Sequence, residues 1–203
     1  MESQKIEALW EWFCQYEQII LDFMEKDALE HRPFISENLD NLVLDLGKFS
    51  WEIGPGAEAP WYFCISPNED QEFFLLSQRI MNEAPSLSSW EFYPSKPAKN
   101  WDRQLLVYDD LMNEIEIDAR EWHFVAQQKP NGKYHIRLEA SKLPLMDPET
   151  QREAAHKIIL YEMGEAFKMT QVSEVEITDQ LEDAIQGLKA PIGALRPQLN
   201  PAF

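Results

Sequence analysis

The chain has 203 residues, 44% of them hydrophobic and 12% aromatic, enough apolar material for a folded core without disulfide or metal staples. Its net charge of −18 is spread along the chain, with 7 basic against 18 acidic residues up to position 100 and 11 against 18 beyond it. A direct nucleic-acid binder, which needs basic groups to displace counterions, is thereby excluded. No run approaches the roughly 18 apolar residues of a membrane span, and MESQKIEALW has no signal-like apolar core.

Cys14 and Cys64 show neither metal-binding nor paired spacing. They are expected to be buried, reduced thiols in a cytoplasmic protein, folded as a single domain over 1–203.

Leu9, Trp10, Phe13, Tyr16, Ile20 and Phe23 recur at helical steps, so the spacing predicts an amphipathic helix over 6–24 that ends before Pro33. A second helix is expected from Ser36 as N-cap to a stop at Gly47, with Leu39, Leu42, Val43 and Leu46 inward. Together they make a helical hairpin over 1–47. SWEI and PWYFCIS read as strands around the turn GPGAEAP. The next helix has Asn68 as cap and Phe73, Leu76, Ile80 and Ala84 on one face. In SWEFYP, alternation places Trp90 and Phe92 on the buried side and Glu91 and Tyr93 on the other, more exposed side.

QLLVYDDLMNEIEID reads as a short hairpin, and Asn131-Gly132 between two alternating runs signals another. Pairing Pro130 with Lys133 sets His123 opposite Ala140 and His135 opposite Gln128, with the two histidines on opposite faces. His123 then joins Val125, Ile136 and Leu138 on the apolar face, leaving Trp122, Phe124, Ala126 and Arg137 on the other. Asp147-Pro148 starts a helix reaching about Phe167, EVEIT is a closing strand, and 190–203 is a tail with Pro191, Pro197 and Pro201. Residues 50–95 and 122–178 each read strand, strand, helix, strand. The expected class is α+β, with two ββαβ units sharing one mainly antiparallel sheet and helices on one face.

The motifs FSWEIGPG, WYFCISPN, APSLSSWEFYPSKP and ILYEMGEAF followed by VSEVEI fall in a familiar order. Over roughly residues 35–180 the chain resembles a family of bacterial domains of unknown function common in Bacteroidetes. That resemblance implies a bacterial α+β protein and carries no activity.

The four histidines, His31, His123, His135 and His156, do not converge in this reading, so no metal is expected. Helical phase sets His156 between Met163 and Phe167 as a packing residue and turns Glu162 and Glu165 away from it, as solvated or salt-bridged groups. Asp109, Asp110, Glu114, Glu116, Asp118 and Glu121 lack the glycine-containing loop of a calcium site, and describe instead a strand with an acidic outer face. Phosphate-cradling and nucleophile motifs are absent, so no cofactor and no catalytic residue are expected.

The candidate binding surface is the stretch from Phe92 to Arg103, which has no acidic residue before Asp102 and groups Tyr93, Lys96, Lys99, Trp101 and Arg103. It reads as a basic, aromatic patch for an anion or for a partner's carboxylates, or else as a strand followed by a proline-stiffened loop. The leading expectation is a non-enzymatic protein-interaction module. The alternative is an enzyme or small-anion sensor using Lys96, Lys99 and Arg103 with Glu162 and Glu165.

Overall fold

A computed structural model describes residues 2–109, 111–140, 146–182 and 188–199; Asp110 and the end of the expected tail, Pro201 included, lie outside them. The chain divides into two compact units, Met1–Lys96 and Pro97–Phe203, each with its own hydrophobic cluster. No helix among the described residues is long and apolar enough to cross a membrane.

The α+β class and both ββαβ units are present, but the strands do not share one sheet. They form three sheets, β1-β2-β3 in the first unit and β4-β5 and β8-β7-β6-β9 in the second. In each ββαβ unit the first two strands are antiparallel, and the helical crossover returns the third strand parallel to the second.

The first unit opens with α1 (Glu2–Lys26), which buries Ile6, Leu9, Trp10, Phe13 and Ile20. Helix α2 (Arg32–Leu46) begins before Ser36 because Pro33 fits the first turn, where its missing N–H costs nothing. Its end is closed by the Gly47 N–H on the Val43 and Leu44 carbonyls. A Cβ on Gly47 would stand 2.8 Å from the Phe73 ring.

Strands β1 (Ser50–Pro55) and β2 (Trp61–Ser66) pair with Ile53 opposite Phe63. Helix α3 (Gln71–Asn82) is capped by Asp70, whose carboxylate accepts from the Glu72 and Phe73 N–H groups. Asn68 takes a positive φ of 53° and accepts from the Ser50 hydroxyl instead of capping. The buried face of α3 is Phe74, Ser77 and Ile80, since Phe73 turns away to meet Phe49 edge-on at 5.1 Å.

Strand β3 (Trp90–Tyr93) sends Trp90 and Phe92 into an aromatic cluster, with Phe13 to Trp90 at 4.9 Å and Trp10 to Phe92 at 5.1 Å. Tyr93 lies on the opposite side against Tyr62, half-buried, so the alternation holds and the expected contrast in exposure is seen against buried Trp90 but not against Phe92, which is half-buried too.

In the second unit β4 (Gln104–Tyr108) and β5 (Glu114–Asp118) form a hairpin with Leu105, Val107 and Ile117 buried and Glu114, Glu116 and Asp118 outside. Strands β6 (His123–Gln128) and β7 (Tyr134–Glu139) pair one residue away from the expected register: His123 opposes Glu139 and His135 opposes Gln127. Pro130 is the cause. A two-residue turn needs an N–H at 130 to close the pair with Lys133, and proline has none. The Lys129 N–H closes it instead, at 2.8 Å to the Lys133 carbonyl, making a three-residue loop with Gly132 at φ +82°.

Because side chains alternate with period 2, this slip exchanges the faces of β6. Trp122 and Phe124, each 2% exposed, join Ile136 and Leu138 in the core, and the expected exposed face of Trp122, Phe124, Ala126 and Arg137 does not exist. His123 and His135 share the other face, with Val125, Gln127 and Arg137.

Helix α4 (Pro148–Met163) is capped by Asp147 as expected and buries Ala155, Ile158, Ile159 and Glu162. It ends at Gly164, at φ +79°, and a separate helix α5 (Glu165–Gln171) leads to β8 (Val172–Thr178). Phe167 is therefore not on α4, the helical phase drawn from it fails, and His156 is exposed rather than packed. The short strand β9 (Ala190–Pro191) lies on β6, and a turn over Ile192–Ala194 precedes a last helix, Leu195–Leu199.

Trp90→Ala should lower unfolding free energy by roughly 3–5 kcal/mol, through lost burial and a residual cavity, measured by urea denaturation. Cys14 is exposed, against expectation, while Cys64 is buried, and neither is joined in a disulfide. One thiol should react with an aromatic disulfide reagent in the native protein and both after unfolding; equal, fast reaction of both in the native state would contradict the burial of Cys64.

Candidate functional site

Three of the five candidate binding residues, Lys99, Trp101 and Arg103, line one cavity of about 220 Å³ in the second unit, together with Glu162 and Arg196. The segment that carries them is held along the end of α4. The Lys99 N–H donates to the Tyr161 carbonyl at 2.7 Å, and the Trp101 and Tyr161 rings meet edge-on at 5.0 Å. The Lys99 ammonium stands over the Tyr161 ring, 4.6 Å from its centre.

Glu162 is the centre of the arrangement. It is 3% exposed, on the buried face of α4; of the two expected states, solvated or salt-bridged, it takes the second. Its Oε1 accepts from Trp101 Nε1 at 3.2 Å and lies 2.9 Å from Arg103 Nε. Arg103 reaches it from a left-handed backbone, φ +62°, unusual for a residue with a side chain. Gly193 makes room, since a Cβ there would lie 3.1 Å from the guanidinium carbon.

Arg196 holds the opposite wall by its backbone contacts. Its Nε donates to the Glu162 carbonyl at 2.7 Å and its Nη2 to the Lys99 carbonyl at 2.8 Å. Sequence reasoning missed Arg196, yet it is the only charged residue in 190–203, an isolated cation in an apolar, proline-rich segment. The lining residues are Lys99, Asn100, Trp101, Arg103, Glu162, Gly193, Arg196 and Pro197, so the arrangement supplies positive charge and hydrogen-bond donors around one carboxylate.

The remaining candidates fall elsewhere. Glu165 is 2% exposed but lies beyond the break at Gly164 and is not among the lining residues. Lys96, half-buried, ends the first unit, and Tyr93 belongs to that unit as well.

The Tyr93 hydroxyl donates to the Glu91 carboxylate, which also accepts from the N–H groups of Ala57, Glu58 and Ala59. Burial opposes the charge on Glu91, yet the tyrosine and the three amides outweigh it and hold the carboxyl at about 2. Burial and the neighbouring Glu91 charge in turn push the Tyr93 phenol upward.

No family model matches the chain, and neither a curated protein nor a solved structure matches it.

Glu91 is depressed from an ordinary value of 4.5 to about 2. Its contribution to stability is therefore full above pH 4.5 and is lost as pH falls toward 2. Glu91→Gln should flatten the fall in urea midpoint across that window, and an unchanged pH profile in the variant would remove Glu91 as its cause.

Proposed function

We propose that the second unit binds a small oxyanion, a carboxylate or phosphate group, in the cavity of Lys99, Trp101, Arg103 and Arg196, without catalysing its conversion. One observation carries this reading. Three cations and a single carboxylate line the cavity, a local excess of positive charge in a chain of net charge −18. Arginine guanidinium groups match the planar geometry of carboxylate and phosphate oxygens. Trp101 adds an apolar wall. A cavity of about 220 Å³ lies below the range that holds drug-sized ligands, roughly 300–1,000 Å³, and suits a ligand of few atoms.

A second reading, a protein-interaction module, is favoured by another feature. Leu106, Tyr108, Leu111 and Met112 on and beyond the tip of β4 are exposed, Leu111 at 81% and Met112 at 74%, beside the acidic outer face of β5. Exposed apolar groups rimmed by charge are a common mark of a contact surface. For either reading, two cysteines that form no disulfide support a reducing, cytoplasmic setting, and the resemblance carried by FSWEIGPG and its companion motifs supports a bacterial origin.

Inorganic phosphate or citrate, titrated calorimetrically at constant ionic strength, should bind saturably with a Kd of about millimolar or tighter. Lys99→Met keeps the aliphatic stem on Tyr161 and removes the charge, and it should weaken binding about tenfold or more. The absence of saturable binding, or identical isotherms for the two proteins, would overturn the proposal.

A further inference from the structure

The slipped register of the β6–β7 hairpin has a consequence on the sheet face away from the core. His135 on β7 lies beside Glu174 of β8 in the parallel pairing, and Arg137 lies beside Glu176. The two glutamates are two residues apart on one strand, so both project to the face that carries His135. His135 Nε2 stands 3.2 Å from a Glu176 carboxylate oxygen and 3.7 Å from one of Glu174. One donor atom from each of the three residues can be chosen so that all lie within 4.8 Å of one another.

Two further facts separate this cluster from an ordinary acidic patch. His135 is 6% exposed, and its ring nitrogens make no well-aligned hydrogen bond: Nδ1 has no hydrogen-bond partner and Nε2 faces only the two carboxylates, a costly state for a buried polar group. The glutamates are also left without another cation. Among the described residues their one ion-pair partner is His135, because Arg137 donates to Gln127 at 3.2 Å instead.

We propose that His135, Glu174 and Glu176 form a binding site for a divalent transition cation, of which Zn²⁺ is the best match. A neutral imidazole and two carboxylates neutralise a divalent charge and form a mixed nitrogen and oxygen set, which suits zinc better than calcium or magnesium. The separations agree. Ligand atoms about 2.0–2.1 Å from a tetrahedral zinc are about 3.3 Å apart, close to the 3.2 and 3.7 Å seen from Nε2. Three protein ligands leave the fourth position to water. The metal would draw the two glutamates of β8 onto β7 and take up the Nε2 lone pair that faces them.

The competing explanation is a protonated His135 held between two carboxylates with no metal. Untagged full-length protein, stripped with a chelator, is titrated with Zn²⁺ by calorimetry and, separately, with Co²⁺ as a spectroscopic probe. One Zn²⁺ per chain should bind, Co²⁺ should give the intense visible bands of a tetrahedral site, and zinc should raise the melting temperature. Glu174→Gln with Glu176→Gln alters half-exposed side chains, so the variant should fold, and it should weaken zinc binding by about 100-fold or more, beyond the roughly 10–100-fold cost of losing an outer-sphere group. His135→Gln should do the same. Absence of zinc binding, or a zinc isotherm unchanged in the double variant, overturns the site and leaves the ion pair as the explanation.

Discussion

Glu162 sets the terms for the second unit. An ionised carboxylate withdrawn from water loses several kcal/mol of solvation unless a cation and hydrogen-bond donors replace it. Arg103 and Trp101 replace it, and reaching Glu162 dictates the backbone around them. Arg103 adopts its left-handed conformation, Gly193 must lack a side chain, and Lys99 to Arg103 run along the last turn of α4. That turn has needs of its own, because the final carbonyls of a helix have no intrahelical partner and carry partial negative charge. The Lys99 N–H answers Tyr161 and Arg196 answers Glu162. The same cations that complete the helix end therefore build the cavity wall, and the cavity follows from how α4 terminates.

The two ββαβ units share a topology and treat a central carboxylate in opposite ways. In the first, Glu91 is enclosed by three backbone N–H groups and a tyrosine hydroxyl, so a ready-made anion site is filled by the protein's own side chain. The four donors are all neutral groups. In the second, Glu162 is met by cations from separate segments, and only Oε1 takes part in the contacts with Arg103 and Trp101. A guanidinium carries five donors, more than one carboxylate oxygen can use. The proposed binding of a further anion would draw on that surplus.

The class, the element order and the repeated strand, strand, helix, strand pattern were legible because they rest on periodicity and turn chemistry, which are local. Errors arose where a single residue controls a long-range relation. Pro130 lacks the N–H that a two-residue hairpin needs, and the resulting one-residue slip moved Trp122 and Phe124 into the core and brought His123 and His135 to one face. Gly164 ended α4 early, which undid the phase used to place His156. Lys99, Trp101 and Arg103 were readable as a basic cluster, but their convergence with Glu162 and Arg196 depends on contacts across 61 and 97 residues. No periodicity reports those. The burial of Glu162 was invisible for a similar reason, since a glutamate in a helix looks solvated until its partner from another segment is known.

The acidity of the chain shapes what such a cavity can accept. At physiological ionic strength the Debye length is about 8 Å, so a ligand inside the cavity feels mainly the charges that line it. Those are net positive. A polyanion extends over many Debye lengths, past the lining cations and into the field of a chain whose carboxylates outnumber its cations by 36 to 18. On the proposed reading, this distribution of charge favours a small anion over a long one with no steric gate required. On that reading the acidity of the chain selects for ligand size, because screening confines each charge to short range and leaves the cations at the end of α4 to dominate inside the cavity.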